Sequence, residues 1–113
     1  MTILTSSNAA RERETSNDPG IVAHRGASGL YPEQTFQAFD EALRLPIHGI
    51  ECDVRLTRDG QLVVFHDPIL SRTTNGRGRV SATDWSELRA LNAGTPDNPQ
   101  RIMRLAELLE LMQ

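Results

Sequence analysis

Residues 48–66, HGIECDVRLTRDGQLVVFH, decide the fold. Residues 48–57 alternate. Ile50, Cys52, Val54 and Leu56 form one set, and Glu51, Asp53 and Arg55 the other. That is a strand of period two, with an apolar face that must pack and a charged face that must not. Arg58-Asp59-Gly60 is a turn, and Gln61–His66 is a second strand. The pair reads as a hairpin or a tight strand–turn–strand step. Upstream, order is expected to begin at Gly20. Ile21, Val22 and Ala23 make a continuous apolar run, the pattern of a strand buried on both faces of a parallel sheet. It stops at His24-Arg25-Gly26. A loop punctuated by Gly26, Ser28, Gly29 and Pro32 follows. Phe36, Phe39, Ala42 and Leu43 then recur at helical spacing. They predict a helix from Glu33 to Leu45, entered behind Pro32 and ended by Pro46. The class is therefore α/β.

Downstream, a loop rich in Thr, Asn, Gly and Arg runs from Asp67-Pro68 to Arg79. Ser81 or Thr83 is placed to cap a short helix carrying Trp85, Leu88 and Leu91. After a loop from Gly94 to Pro99, RLAELLELMQ at 104–113 begins an amphipathic helix. Residues 1–19 are rich in Ser, Thr, Asn and charge and lack periodicity. They are expected to be a disordered N-terminal tail, leaving 20–113 as the domain.

The chain has 113 residues, enough for one small domain. Its 38% apolar and 24% charged residues suit a globular protein in water. A formal net charge of −3 draws in neither nucleic acid nor an anionic membrane. Cys52 stands alone, so an internal disulfide is impossible, which fits a reducing compartment. No apolar run approaches the ~20 residues that cross a bilayer. The N-terminus has no apolar core of a secretory signal. The expected location is the cytoplasm, without nucleic-acid partners or a transmembrane segment.

Glu51 and Asp53 share a strand face, about 6–7 Å apart along the strand. Two like charges so close are relieved by a cation or by a proton, and their oxygens suit Mg²⁺ or Ca²⁺. His24-Arg25 follows directly on a buried strand, where parallel α/β folds place their sites. Arg suits a phosphate oxygen, and His moves a proton near neutral pH. His66 repeats that topology at the tip of the second apolar strand. Glu33 stands at the predicted helix start. Each also has a plainer reading: a solvated strand face, a surface loop pair, a backbone-satisfied histidine, a carboxylate at a helix N-terminus. Those readings do not explain why strand tips deliver all of these groups together.

At this point the chain resembles the glycerophosphodiester phosphodiesterases. HRGASGLYPEQT at 24–35 is similar to their HRG…PENT signature, and ECDVRLTRDGQLVVFHD at 51–67 to their second signature. SRTTNGRGRV matches their RTT-x-x-G loop, and the likeness runs over residues 21–95. The resemblance implies a (β/α)8 barrel with its site at the C-terminal strand ends. It implies that His24 and His66 are the acid/base pair, that Arg25 holds a phosphate oxygen, and that Glu51 and Asp53 bind one divalent cation, Mg²⁺ or Ca²⁺. Glu33 would lie at the site margin, orienting ligands or the metal shell. The implied reaction is hydrolysis of a small-molecule glycerophosphodiester to glycerol 3-phosphate and an alcohol.

The chain departs from that pattern in three ways. Gln34 stands where Asn is usual. IMRLAELL at 102–109 lacks the usual Pro and Thr. A barrel of this kind takes about 250 residues, so the expectation is the N-terminal part of a truncated barrel, with a third metal carboxylate beyond residue 113. An open sheet edge would then be exposed, and Leu105, Leu108, Leu109 and Met112 would lack a wall to pack on. The alternatives to full catalysis are a non-catalytic partial barrel that self-associates, or a related barrel phosphodiesterase acting on phospholipids.

Overall fold

The alternating segment does not run through as one strand: it breaks at Asp53 into two strands that belong to different sheets. The computed structural model describes residues 2–4, 22–26, 28–29, 31–45 and 49–113, with the backbone alone for 2–4 and 22–24. In chain order the elements are β1 (Thr2–Leu4), β2 (Val22–His24), α1 (Phe36–Arg44), β3 (Gly49–Cys52), β4 (Val54–Leu56) and β5 (Leu62–Val64). A 3₁₀ turn (Val80–Ala82), α2 (Trp85–Leu88), β6 (Met103–Arg104) and α3 (Leu105–Leu111) follow. The expected onset at Gly20 and Ile21, the helix stop at Pro46 and the strand start at His48 lie outside the described residues.

β3 is the centre of the first sheet. It pairs in parallel with β2, with His24 in register with Glu51, and α1 lies between the two strands in sequence. On its other side β3 pairs antiparallel with β1, Thr2 opposite Cys52. That corrects the disordered tail at Thr2–Leu4: an extended Thr-Ile-Leu segment takes up the backbone groups that the β3 edge offers. The rest of 1–19 lies outside the described residues.

The break at Asp53 has a local cause. Its N–H is given to the side-chain oxygen of Gln34 at 3.1 Å, and its carbonyl accepts from the Phe65 N–H at 2.8 Å. The strand therefore changes partners there. β4 and β5 form the expected hairpin, with Val54 opposite Val64 and Leu56 opposite Leu62. Its turn needs Gly60, whose φ of +83° suits a residue without Cβ. β6 adds a third antiparallel strand to β5. Two residues are too few for periodicity to announce them, so the sequence reading assigned nothing to Met103 and began its helix at Arg104.

Alternation along β5 separates two cores. Val64 packs with Phe39, Ala42, Ile50, Cys52, Met103 and Leu108. Val63 packs with Phe65, Leu70, Val80, Leu88, Ala93 and Ile102 on the opposite face. The wall thought missing for the last helix therefore exists: Leu108 is fully buried, and Leu105, Leu111 and Met112 pack against the first core. Leu109 remains exposed, as that expectation had it.

Two helix boundaries differ from expectation. α1 begins at Phe36, not Glu33, because Gln34 has a left-handed φ of +58° that no helix accommodates. Thr35 caps it, its hydroxyl oxygen accepting from the Ala38 N–H at 3.4 Å. Leu45 at the other end is extended, as a residue before proline must be. For α2 the N-cap position falls on Asp84 instead of Ser81 or Thr83. The Asp84 carboxylate is held by Arg58 across the loop, at 2.9 and 2.7 Å. No helix among the described residues is long and apolar enough to cross a membrane.

Candidate active site

The parallel ladder of β2 and β3 carries one step past His24. The Arg25 N–H donates to the Glu51 carbonyl at 2.8 Å, which seats the Arg25 backbone against β3. Arg25 then turns sharply, with φ of +56°, and Gly26 follows at +80°. A Cβ on Gly26 would stand 2.8 Å from the Ala38 backbone carbon, so glycine lets this loop lie against α1. The loop closes where the Gln34 N–H donates to the Arg25 carbonyl at 2.9 Å. Residues 25 and 34, both left-handed and neither glycine, are thus bonded to each other.

The side chains of this loop converge. Arg25 Nη1 donates to Glu33 Oε2 at 2.7 Å, and Arg25 Nε lies 3.5 Å from Asp53 Oδ2. Gln34, 4% exposed, donates from Nε2 to Asp53 Oδ2 at 2.9 Å and accepts the Asp53 N–H through Oε1. Glu33 is therefore no helix-cap residue. It sits between two guanidiniums, since Arg72 is ion-paired to its other oxygen.

The second histidine enters from the hairpin. Arg55 reaches along it to donate from Nε and Nη2 to the His66 carbonyl, at 3.0 and 2.7 Å, and fixes the backbone there. His66 Nδ1 donates to Asp67 Oδ1 at 2.6 Å. Asp67 is gripped in turn by Arg72, Nε to Oδ2 at 2.7 Å and Nη2 to Oδ1 at 3.0 Å. Arg72, then His66, hold the Asp67 carboxyl well below the usual range, so it stays ionised. The same bonds raise the Arg72 guanidinium. With Nδ1–H committed to the Asp67 carboxylate, Nε2 is the ring nitrogen that this bond does not engage.

One chain of contacts thus runs His66, Asp67, Arg72, Glu33, Arg25, Asp53, Gln34. Of the residues expected from sequence, Arg25, Glu33, Asp53 and His66 lie on it. Glu51 joins through its backbone. His24 is in register with Glu51, and its side chain lies outside the described residues. Sequence reading assigned no role to Gln34, Asp67 or Arg72, although each stands inside a quoted motif. For Gln34 and Asp67 the available signal was a polar residue adjacent to an expected site residue, Glu33 and His66; Arg72 had only its place in the RTT loop.

Glu51 and Asp53 are hard oxygen donors, and so suit Mg²⁺ or Ca²⁺ in kind. In number they are an incomplete shell: among the described residues no group of three or more His, Cys, Asp or Glu is placed to hold a metal ion. Beside Arg72 and Pro32 opens a cleft of about 600 Å³, walled by Thr73, Thr74, Asn75 and Thr95. Cys52, behind Asp53, faces the first core. Burial, and then the Asp53 charge, push its thiol up to about 11.

Residues 24–113 match the model of the glycerophosphoryl diester phosphodiesterase family. A "Probable glycerophosphodiester phosphodiesterase 1" of Mycobacterium tuberculosis is 54% identical over 76 residues, which are 67% of this chain and 28% of that protein. A glycerophosphodiester phosphodiesterase of Caldanaerobacter subterraneus is 45% identical over 96 residues, 81% of this chain and 40% of that protein. Among solved structures, an Oleispira antarctica phosphodiesterase in complex with its product sn-glycerol-3-phosphate superposes with a TM-score of 0.79 at 40% identity. The match covers 83% of this chain and 40% of that one. These neighbours are barrel enzymes, so the chain is a partial barrel of α/β type.

Proposed function

This chain belongs to the glycerophosphoryl diester phosphodiesterase family, and on that premise we propose that it carries the first half of a site that hydrolyses glycerophosphodiesters to glycerol 3-phosphate and an alcohol. The observation that carries the proposal is the continuous contact chain from His66 to Asp53, built from the motifs that bear the family likeness. The chain spans 28% to 40% of the length of the relatives named above, so the activity of a whole enzyme is part of the proposal.

In this reading Arg25 neutralises a phosphate oxygen, and Glu33 keeps its guanidinium aimed before substrate arrives. His66 carries a proton at Nε2, with Asp67 and Arg72 fixing its tautomer. His24 is its counterpart, so that one histidine withdraws a proton from the attacking oxygen and the other gives one to the leaving alkoxide. A Mg²⁺ or Ca²⁺ held by Glu51 and Asp53 would supply Lewis-acid neutralisation of the same phosphate oxygens. The cleft beside Arg72 gives room for a small polar substrate. The buried free thiol of Cys52 supports a cytoplasmic setting.

The test is hydrolysis of glycerophosphocholine with added Mg²⁺ or Ca²⁺, by the native chain and by His24→Ala and His66→Ala. Each substitution is expected to lower kcat by about 10²-fold or more. A variant with unchanged turnover removes its histidine from the role. A second reading rests on a separate observation: Phe36, Leu45, Leu56, Leu62, Ile69 and Leu109 are all more than two-fifths exposed. A partial barrel that buries this surface by self-association would scatter light as a dimer or larger and show no turnover.

A further inference from the structure

We propose that Gln34 is the positioning residue of Asp53, setting both the direction of its carboxylate and the strand break that presents it. The proposal deepens the reading of Asp53 as a cation ligand and rests on it. Gln34 is 4% exposed, so its amide has little water to bond and must find partners in the protein. Both of its polar atoms find the same residue. Nε2 donates to Asp53 Oδ2 at 2.9 Å, and Oε1 accepts the Asp53 N–H at 3.1 Å. This pairing also determines which way the amide points. Turned over, it would set NH₂ against N–H and oxygen against carboxylate, two repulsions in place of two bonds.

The geometry is held at a cost, which argues that it serves something. Gln34 has φ of +58°, in a region that long side chains rarely enter. It stays there because its N–H bonds to the carbonyl of Arg25, itself left-handed at +56°. Thr35 behind it is fully buried and caps α1. The side chain thus extends from an anchored backbone with one target. Asp53 Oδ2 also lies 3.5 Å from Arg25 Nε, so Gln34 and Arg25 hold one carboxylate oxygen from two sides. A side chain that orients a ligand without touching the cation changes affinity by about 10- to 100-fold when removed. Asn at this position would enter the left-handed region more readily, but one methylene shorter it would reach one of the two Asp53 groups at most.

The experiment compares the native chain with Gln34→Ala and Gln34→Asn, using Mn²⁺ as a paramagnetic probe of cation binding and scalar couplings to read the Asp53 χ1 rotamer. The expected result is a Mn²⁺ affinity about 10-fold lower in Gln34→Ala, with partial recovery in Gln34→Asn. Asp53 should hold one rotamer in the native chain and average over several in Gln34→Ala. Equal affinity in the native chain and Gln34→Ala would overturn the proposal. Should the native chain fail to bind Mn²⁺, the cation reading falls, and the rotamer decides alone. An Asp53 rotamer unchanged by Gln34→Ala overturns the positioning role, whereas a loosened one sustains it. Amide spectra of each variant away from the loop distinguish this from loss of fold: the change should be confined to residues near Asp53.

Discussion

At the residue scale, the site is a row of charges that hold one another in place. Glu33 lies between Arg25 and Arg72, and Asp67 between Arg72 and His66. A carboxyl whose acidity differs between the folded and unfolded chain makes stability depend on pH. Asp67 is the clearest case, because its carboxyl is held below its ordinary value of 3.8. A lowered carboxyl stabilises the fold above its unfolded pKa, and that stabilisation is lost as pH falls through the folded value. Asp67→Asn should therefore melt at a lower temperature than the native chain near neutral pH. The gap should narrow as the solution is acidified from pH 3.8 downward. Thermal melts at a series of pH values read this directly, and two parallel curves would contradict it. Glu33 shows the limit of residue-type reasoning. A carboxylate behind a proline suits a helix N-terminus, yet the helix starts later and the carboxylate serves two arginines instead.

At the element scale, the helix start is where loop, cap and site meet. Thr35 accepts the Ala38 N–H and gives its own hydroxyl proton to the Pro32 carbonyl at 2.7 Å. Removing both bonds at a buried position leaves a helix N–H and a carbonyl without partners. Thr35→Ala is expected to cost about 1 kcal/mol, up to about 2, in urea unfolding. Serine in its place should recover most of that loss, and an unchanged urea midpoint in the alanine variant would refute the cap. The periodicity of Phe36, Phe39, Ala42 and Leu43 was enough to place α1. Its first residue was decided by the φ of Gln34, which side-chain spacing does not report. β6 was invisible for a related reason: it is defined by the bonds it makes to β5, and two residues carry no pattern of their own.

At the scale of the whole molecule, one sheet divides two cores, and the same strand supplies both through alternate side chains. If β4, β5 and β6 join the halves into one cooperative unit, damage to either core must lower the same transition. Leu108 anchors the first core and Leu88 the second, each fully buried. Leu108→Ala and Leu88→Ala should each cost about 2–5 kcal/mol. Both should move one melting transition seen alike by circular dichroism and by Trp85 fluorescence. Two separate transitions would mean that the cores unfold independently. The match to part of larger barrel enzymes belongs to this scale too.

The sequence by itself determined the α/β class, the hairpin, the course of α1 and the family. These follow from local periodicity and from motifs whose residue order is enough to identify them. It also nominated His24, Arg25, Glu33, Glu51, Asp53 and His66, from polar side chains on strands, at strand ends and at a predicted helix start. Tertiary structure alone decided how those side chains connect. The break at Asp53, the two arginines on Glu33 and the Arg72 grip on Asp67 join residues up to 39 positions apart. The amide of Gln34 reaching Asp53 joins residues 19 apart. Whether such pairs meet depends on how the loops after β2 and β5 fold back over the strand ends. For the first of these loops that depends on left-handed backbone at Arg25 and Gln34, which the bond between their backbones holds and which no spacing of side chains records.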